Sequence, residues 1–177
     1  MKRGLFVGRF QPFHNGHLEV IKDILKETDE LVIVIGSAQY SHCLDNPFTA
    51  GERITMIRKA LDEAKIPISR TWTIPVADVN VHMLWVAKIV GYSPKFSVVY
   101  GNEPLTRRLF MEAGFEVKPV TFHKRAEYSA TEIRKRMLEN KNWEMLVPKN
   151  VATYIREIDG VKRLQDLAKT DKMEKQK

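Results

Sequence analysis

The sequence has little cysteine and no long apolar segment, and both absences narrow the classes of protein it can belong to. Cys43 is the only cysteine in 177 residues, which excludes an intrachain disulfide and any zinc cluster built on cysteine. The longest apolar runs, such as "LVIVIG", are far shorter than the roughly 20 residues that a transmembrane helix needs. The opening "MKRGLFVGRF" carries no small-residue cleavage site of a secretory signal. These absences favour a cytoplasmic protein without a membrane partner.

Several motifs of nucleotide-binding proteins and metalloenzymes are also missing. GxGxxG and GxxxxGK[ST] are absent, which excludes a dinucleotide-binding Rossmann fingerprint and a P-loop. HExxH is absent, and no third ligand stands near His14 and His17 at a recognisable spacing, so we expect no metal held by protein ligands. The net charge of +7 suits an anionic ligand. Because we find no helix-turn-helix with a basic face and no aromatic-basic RNA-binding motif, we expect no nucleic-acid partner.

Short aliphatic runs alternate with amphipathic segments along most of the chain. The strand-like runs lie at residues 4–10, 30–36, 70–76, 96–101 and 115–122, with helical patterns between them. From Ser129 onward the pattern is helical only. We therefore predict an α/β fold with a Rossmann-like, mostly parallel sheet that carries helices on both faces. This core spans residues 1–122, a helical C-terminal part spans 129–170, and together they form one domain over 1–170. Residues 171–177 are predicted to be a flexible tail.

The stretch "GRFQPFHNGHLEVI" places His14 and His17 between the first strand and the first helix. Open parallel sheets bind ligands beyond the carboxyl ends of their strands. Gly16 and His17 open a helix there, so free N–H groups and the positive end of the helix dipole favour an anion. The imidazoles can donate to phosphate oxygens, and Arg9 adds a bidentate partner. An isolated H-x-x-H is as often a pair of loop and cap histidines, so the motif alone leaves both interpretations open.

A second helix start has the same character. In "YSATEIRKRM", Ser129 and Glu132 have the spacing of a capping box, and Thr131 and Arg134 lie in the first turns. Taken alone, this pattern is typical of a well-capped helix with basic residues on its solvent face. Two helix starts suited to phosphate in one basic α/β domain favour a site that holds both ends of a triphosphate.

These motifs, with "IGSAQ", "NPFTAGER" and "LWV", resemble the archaeal type of nicotinamide-mononucleotide adenylyltransferase. That family belongs to the nucleotidyltransferases of the HxGH superfamily, which are related in fold to class I aminoacyl-tRNA synthetases. The likeness covers about residues 3 to 170, so that 1–170 would be a single nucleotidyltransferase domain. It implies an enzyme of NAD biosynthesis that transfers AMP from ATP to nicotinamide mononucleotide and forms NAD and pyrophosphate.

The resemblance also implies the residues of the site. The catalytic residues would be His14, His17, Arg9 and Arg134. The ATP-binding residues would be Gly8, Arg9, Phe10, Gln11, His14, Gly16, His17, Ser129, Thr131 and Arg134. Nicotinamide mononucleotide would contact Ser37, Asp78, His82 and Trp85, with the indole stacked on the nicotinamide ring. From its helical spacing alone, Trp85 is more often a core residue.

The implied mechanism needs no covalent enzyme intermediate. The phosphate of the mononucleotide is already an anion at neutral pH and attacks the α-phosphorus of ATP in line, so positioning and charge stabilisation supply the catalysis. Mg²⁺ would be carried mainly by the ATP phosphates. The family likeness further suggests a homo-oligomer, with a hexamer as the candidate assembly.

Three places depart from the common family pattern. His82 stands where Asn is common, "VYGNEPLT" replaces "YSGNPLV", and Asp45 stands where some members carry a basic residue. The first departure bears on the acceptor, and the second on residues 101–103 as adenosine contacts. Two alternatives stay open: the same transfer to phosphopantetheine or flavin mononucleotide, and a non-catalytic NAD-sensing or nucleic-acid-binding regulatory module.

Overall fold

A computed structural model of the chain describes residues 1–121 and 127–174. Its sheet has five parallel strands: β1 Arg3–Gly8, β2 Glu30–Ile35, β3 Thr71–Pro75, β4 Val98–Tyr100 and β5 Glu116–Lys118. The α-helices of the described ranges are α1 Asn15–Glu27, α2 Ala50–Glu63, α3 His82–Tyr92, α4 Pro104–Glu112, α5 Ala130–Leu138, α6 Lys149–Glu157 and α7 Gly160–Glu174. Short 3₁₀ turns occupy Ile68–Arg70 and Glu144–Leu146. The predicted α/β fold is confirmed.

The aliphatic strand β2 shows why the sheet is covered on both faces. From Leu31 to Ile35 no residue of β2 is exposed. Leu31, Ile33 and Ile35 pack in a cluster with apolar side chains of α1, α2 and the C-terminal helices. Val32 and Val34 point the other way, into a smaller cluster built with α3 and α4. Because alternate residues of a strand face opposite sides, this uninterrupted aliphatic run buries both of its faces.

The strand order β3-β2-β1-β4-β5 determines where a ligand can enter. The chain leaves β1 toward β2 on one side, whereas β4 pairs with β1 on the other side. The loops that follow β1 and β4 therefore diverge and open a crevice at the carboxyl ends of these two strands. Helix α1, which begins at the H-x-x-H motif of His14 and His17, starts at this crevice.

The helical C-terminal part packs on the same sheet face as α2. Ile133 and Met137 of α5, Ile155 of α6 and Leu164 of α7 are all inaccessible to solvent in that cluster. At the start of α2, Thr49 and Glu52 form a capping box, as their T-x-x-E spacing indicates. Arg163 of α7 donates to both carboxylate oxygens of Glu52 at 2.8 Å, which fastens α7 to the start of α2.

Several predicted boundaries differ from the structure. β1 ends at Gly8 because Phe10 adopts a φ of 54° and turns the chain out of the strand direction. β5 is limited to Glu116–Lys118, and position 122 lies outside the described residues. α7 continues through Glu174, and positions 175–177 of the predicted tail are likewise outside the described residues.

The predicted capping box of α5 forms only in part. The Ser129 hydroxyl accepts the N–H of Glu132 at 3.1 Å, as expected for an N-cap. The Glu132 carboxylate accepts instead from Arg136, one turn later, and the N–H of Ser129 is bonded to the Glu127 carbonyl. Within the described ranges, no helix is both long and apolar enough to cross a bilayer.

Candidate functional site

A cavity of about 330 Å³ opens at the carboxyl ends of β1 and β4, between the starts of α1 and α5. All of the predicted ATP-binding residues except Gly8 line it, namely Arg9, Phe10, Gln11, His14, Gly16, His17, Ser129, Thr131 and Arg134. The structure thus brings together two helix N-termini that are more than a hundred positions apart in the sequence. Both present backbone N–H groups and positive dipole ends to one space.

His14 and His17 form a mutual cap at the start of α1. The N–H of His17 donates to Nδ1 of His14, and the N–H of His14 donates to Nδ1 of His17, each at 3.3 Å. The two rings stack with centroids 3.5 Å apart. This is the reciprocal arrangement of a capping box, built from two imidazoles in place of a hydroxyl and a carboxylate.

The mutual cap determines where the imidazole protons reside. Because each Nδ1 accepts a backbone N–H, the neutral ring of either histidine carries its proton on Nε2. Burial lowers the pKa of His14 to about 4. Burial also lowers the pKa of His17, and the adjacent His14 lowers it further. Both rings are therefore neutral at pH 7, and each keeps its Nε2–H as a donor.

Gly16 allows the segment before α5 to come close to the start of α1. A Cβ at Gly16 would lie 3.0 Å from the Cβ of Tyr128 and 3.1 Å from the ring of His14. Both neighbours line the cavity. A side chain at this position would press on the segment before α5 and on the histidine cap, so only glycine leaves both in place.

Arg134 presents a buried cation to the cavity. Its residue is 7% exposed, whereas the next residue on α5, Lys135, is exposed to solvent. Nη1 of Arg134 donates to the Gln11 carbonyl at 2.9 Å, and Nη2 donates to Asp45 Oδ1 at 3.1 Å. Burial lowers the pKa of Arg134, although Asp45 partly offsets this. The group stays charged, since even a lowered guanidinium pKa lies far above neutral.

Phe10 and Gln11 shape the loop after β1. The Phe10 ring is 1% exposed and meets the His17 ring edge-on at 4.8 Å between centroids. Gly8 lies outside the cavity wall, and a Cβ there would come within 2.8 Å of the Phe10 ring. The Gln11 amide exchanges two hydrogen bonds with the backbone of Phe48, at 2.8 and 2.9 Å. Gly8 and Gln11 therefore position the loop, and the amide of Gln11 is already engaged.

Arg53, a residue that the sequence analysis did not single out, holds the loops of the site. It is 0% exposed. Its Nη1 donates to the carbonyls of Arg9 and Gly36 at 2.9 and 3.0 Å, and its Nη2 donates to that of Ser37 at 3.2 Å. Nε donates to the Thr49 carbonyl at 3.2 Å. Burial lowers the pKa of Arg53 to about 10, so the guanidinium stays charged and joins the loops after β1 and β2.

A signal for Arg53 was present in the sequence. It precedes the buried residues Met56 and Ile57 of α2 by three and four positions, which places it on the apolar face of that helix. A charged residue on such a face must find polar partners inside the protein.

A second cavity of about 260 Å³ contains three of the four residues predicted to bind the mononucleotide. Asp78, His82 and Trp85 line it, together with Val79, Leu105, Thr106 and Leu109. Ser37 does not line it but donates from its hydroxyl and its N–H to the Asp78 carboxylate, at 2.7 and 3.2 Å. Ser37 thus positions Asp78.

Trp85 is both a core residue and a wall residue of the second cavity. Its ring meets Phe110 edge-on at 6.1 Å and packs against the smaller core cluster, yet it also forms a wall of the second cavity. Its Nε1 is buried without a hydrogen-bond partner among the described residues. Buried indole N–H groups usually have an acceptor, so this donor is an exception within the described part of the chain.

The loop after β4 contributes residues that the sequence analysis named only as a departure. Asn102 exchanges hydrogen bonds with the backbone of Val120 at 2.6 and 3.0 Å, and Glu103 caps α4. Asn102, Glu103 and Thr106 all line the larger cavity. Thr106 lines the smaller one as well, so the two cavities share a wall at the start of α4.

Comparison with known proteins identifies a matching family and relatives that share one enzyme name. Residues 5–136 match the cytidylyltransferase-like family. The nicotinamide-nucleotide adenylyltransferase of Archaeoglobus fulgidus is 52% identical over 96% of this chain and 99% of its own length. The enzyme of the same name from Methanolobus tindarius is 50% identical over 97% and 98%.

A solved structure shows the same similarity. It is a bifunctional NMN adenylyltransferase/ADP ribose pyrophosphatase from Francisella tularensis, complexed with AMP and a manganese ion. It superposes with a TM-score of 0.74 at 25% identity over 93% of this chain. The chain spans 52% of the length of that bifunctional protein.

Proposed function

The chain belongs to the cytidylyltransferase-like family and, within it, to the nicotinamide-nucleotide adenylyltransferases, and from this premise we propose how its residues divide the reaction. The enzyme transfers AMP from ATP to nicotinamide mononucleotide and forms NAD and pyrophosphate, which is a step of NAD biosynthesis. The observation that carries the assignment of residues is the larger cavity, where two helix N-termini, a neutral histidine pair and Arg134 converge.

ATP occupies the larger cavity with its phosphates between the starts of α1 and α5. The Nε2–H groups of His14 and His17 donate to phosphate oxygens near the α-phosphorus, since both rings lie at the start of α1. Arg134 holds the β/γ end that departs as pyrophosphate, and Arg9, which is exposed, lines the same cavity. The N-terminus of α5, with Ser129 and Thr131, completes the phosphate contacts.

The nicotinamide mononucleotide occupies the smaller cavity. The shared wall at Thr106 brings its 5′-phosphate near the α-phosphorus of ATP. A phosphate oxygen attacks that phosphorus in line, and the bond from it to the oxygen bridging to the β-phosphate breaks. No general base is needed because the attacking oxygen is already ionised at neutral pH. Trp85 faces the nicotinamide ring, and Asp78 and His82 lie beside its polar groups.

The two histidines can serve this transfer as hydrogen-bond donors. They donate hydrogen bonds to developing charge on the transferred phosphoryl group without releasing a proton, and their positions are set in advance by the mutual cap. Donors fixed before the reaction cost no reorganisation when charge builds up. The structure of the cap therefore serves the transition state more than the binding of ATP.

A divalent cation such as Mg²⁺ would be held at the site as part of the ATP complex. Glu103 is the carboxylate of the larger cavity wall, and it already caps α4. Among the described residues, no three possible metal-binding side chains gather at one place. Phosphate oxygens would supply most ligands of the cation, which would neutralise part of the phosphate charge.

We also propose that the protein is a homo-oligomer, with a hexamer as the candidate assembly. Around α3, Val81, Met83, Leu84, Val90 and Tyr92 are each 44% to 60% exposed. Such a group of exposed apolar side chains on one element marks a surface for protein contact. A cytoplasmic location without nucleic-acid or membrane partners stays a prediction.

The direct test is a panel of acceptors with ATP, in which pyrophosphate release is measured for each. We expect release with nicotinamide mononucleotide and far less with phosphopantetheine or flavin mononucleotide. His17→Ala should lower kcat by about a hundredfold and raise the KM for ATP much less. Preference for another acceptor would refute the assignment of the smaller cavity. Near-normal turnover of His17→Ala would show that the histidine pair is structural.

A further inference from the structure

Asp45 forms an ion pair with Arg134. Its carboxylate oxygen Oδ1 accepts from Nη2 of Arg134 at 3.1 Å. The two partners differ in environment, because the Arg134 side chain is 8% exposed and that of Asp45 is 78% exposed. Arg134 lines the larger cavity, and Asp45 contacts it without lining the cavity itself. A solvent-facing anion is thus paired with the buried cation of the phosphate site.

Asp45 is not needed to hold Arg134 in place. Burial of the side chain and the hydrogen bond from Nη1 to the Gln11 carbonyl already fix the guanidinium. Gln11 is itself fixed by its two bonds to Phe48. An ion pair with one exposed partner and a single contact contributes little to stability. The ion pair therefore adds little to the structural support of Arg134.

The charge of Asp45 matters for an anionic ligand. Arg9 and Arg134 are the cationic side chains that line the larger cavity, and Asp45 neutralises the more buried one. The carboxylate also occupies an N–H donor that a phosphate oxygen would otherwise use. We propose that Asp45 competes with the phosphate groups of the ligand for the guanidinium of Arg134. This competition weakens the binding of both ATP and pyrophosphate and speeds the departure of pyrophosphate.

This inference rests on the proposed role of Arg134 in holding the β/γ end of ATP. When the nucleotide binds, the exposed carboxylate turns outward and Nη2 passes to a phosphate oxygen. After the transfer, Asp45 returns to Nη2 and replaces the leaving pyrophosphate. Only hydrogen bonds are exchanged, and no covalent bond forms or breaks. The competition weakens the binding of both the substrate ATP and the product pyrophosphate.

Calorimetric titration of the full chain with ATP and with pyrophosphate tests the proposal. Asp45→Asn keeps the shape of the side chain and removes its charge. We expect both dissociation constants to fall by about fivefold, the size of effect that one nearby surface charge has in water. The KM for nicotinamide mononucleotide and the melting temperature should not change. The gain should shrink as salt is added, because Asp45 is exposed.

Three comparisons make the outcome decisive. Glu112→Gln removes a carboxylate from a surface pair with Arg108 and should leave both dissociation constants unchanged. Arg134→Ala should weaken both ligands, and most of the gain from Asp45→Asn should vanish in that background. If Asp45→Asn weakens ATP or leaves it unchanged while Arg134→Ala weakens it, the competitor role is wrong. If Arg134→Ala leaves ATP binding unchanged, the proposed phosphate site itself is wrong.

Discussion

Acid should destabilise this protein through the histidine cap of α1. The fold holds His14 as a neutral ring, and burial lowers its pKa from 6.5 to about 4. In the unfolded chain the same ring binds a proton more readily. The contribution of the neutral ring to stability is therefore complete above about pH 6.5, and it is lost as the pH falls from there toward 4.

The size of the effect follows from that difference in pKa. One pKa unit corresponds to about 1.4 kcal/mol, so protonation of His14 alone should remove roughly 3 kcal/mol of unfolding free energy by pH 4. His17 adds a loss of the same sign, because its pKa is lowered by burial and by His14. Against a typical domain stability of about 5–15 kcal/mol, this is a large fraction.

Urea unfolding followed by circular dichroism, between about pH 7.5 and pH 4.5, measures the loss. His14→Asn keeps a residue that caps helices well but does not titrate in this range, so its stability should fall less steeply with acid. His42→Asn is the matched control, because His42 is exposed and its replacement should leave the slope unchanged. A non-hydrolysable ATP analogue should flatten the wild-type curve, since phosphate favours the protonated rings.

One result would refute this reasoning. If His14→Asn and the wild type lose the same free energy between those pH values, the buried neutral imidazole is not the group that acid attacks. The acid sensitivity would then belong to carboxylates, and the proposed Nε2 donors would lose their physical basis.

Three further substitutions test other parts of the site. Arg134→Ala should raise the KM for ATP by at least tenfold. Lys135→Ala, on the exposed face of α5, should change that KM less than twofold. Equal effects would mean that the wrong face of the helix was assigned. Trp85→Ala should raise the KM for nicotinamide mononucleotide about tenfold and that for ATP little, and a change confined to stability would make Trp85 a core residue only. Arg53→Met should remove the donor to the carbonyls of Arg9 and Gly36 and lower the unfolding free energy by about 3 kcal/mol, which urea unfolding measures. An unchanged stability would contradict the role of Arg53 in holding the loops.

The fold could be predicted from the sequence because its signals are local. The run from Leu31 to Ile35 is aliphatic at every position, which only a doubly covered strand requires. The T-x-x-E spacing of Thr49 and Glu52 likewise indicates the start of α2. The turn at Phe10 could not be predicted, because a φ of 54° in a buried aromatic residue depends on packing against Phe6 and His17.

The residue types of the site could be predicted from the sequence, but the hydrogen bonds and contacts between those residues could not. The spacing of His14 and His17 pointed to an anion, yet it did not reveal that each Nδ1 accepts the other residue's N–H. Arg53 could have been found from its place on a buried helix face. Thr106 could not, because its part in both cavities arises only when β4 pairs with β1 and brings the start of α4 to the crevice.

The pairing of Glu52 with Arg163 has a consequence for the order in which the protein is built. Glu52 caps α2 next to Arg53, and its partner Arg163 follows 111 residues later in the chain. During synthesis, the loops held by Arg53 are therefore made long before the residue that fastens the start of α2. The N-terminal part of the chain, which carries His14 and His17, can form its strands early in synthesis. The nucleotide site is fully stabilised only after α7 has been synthesised.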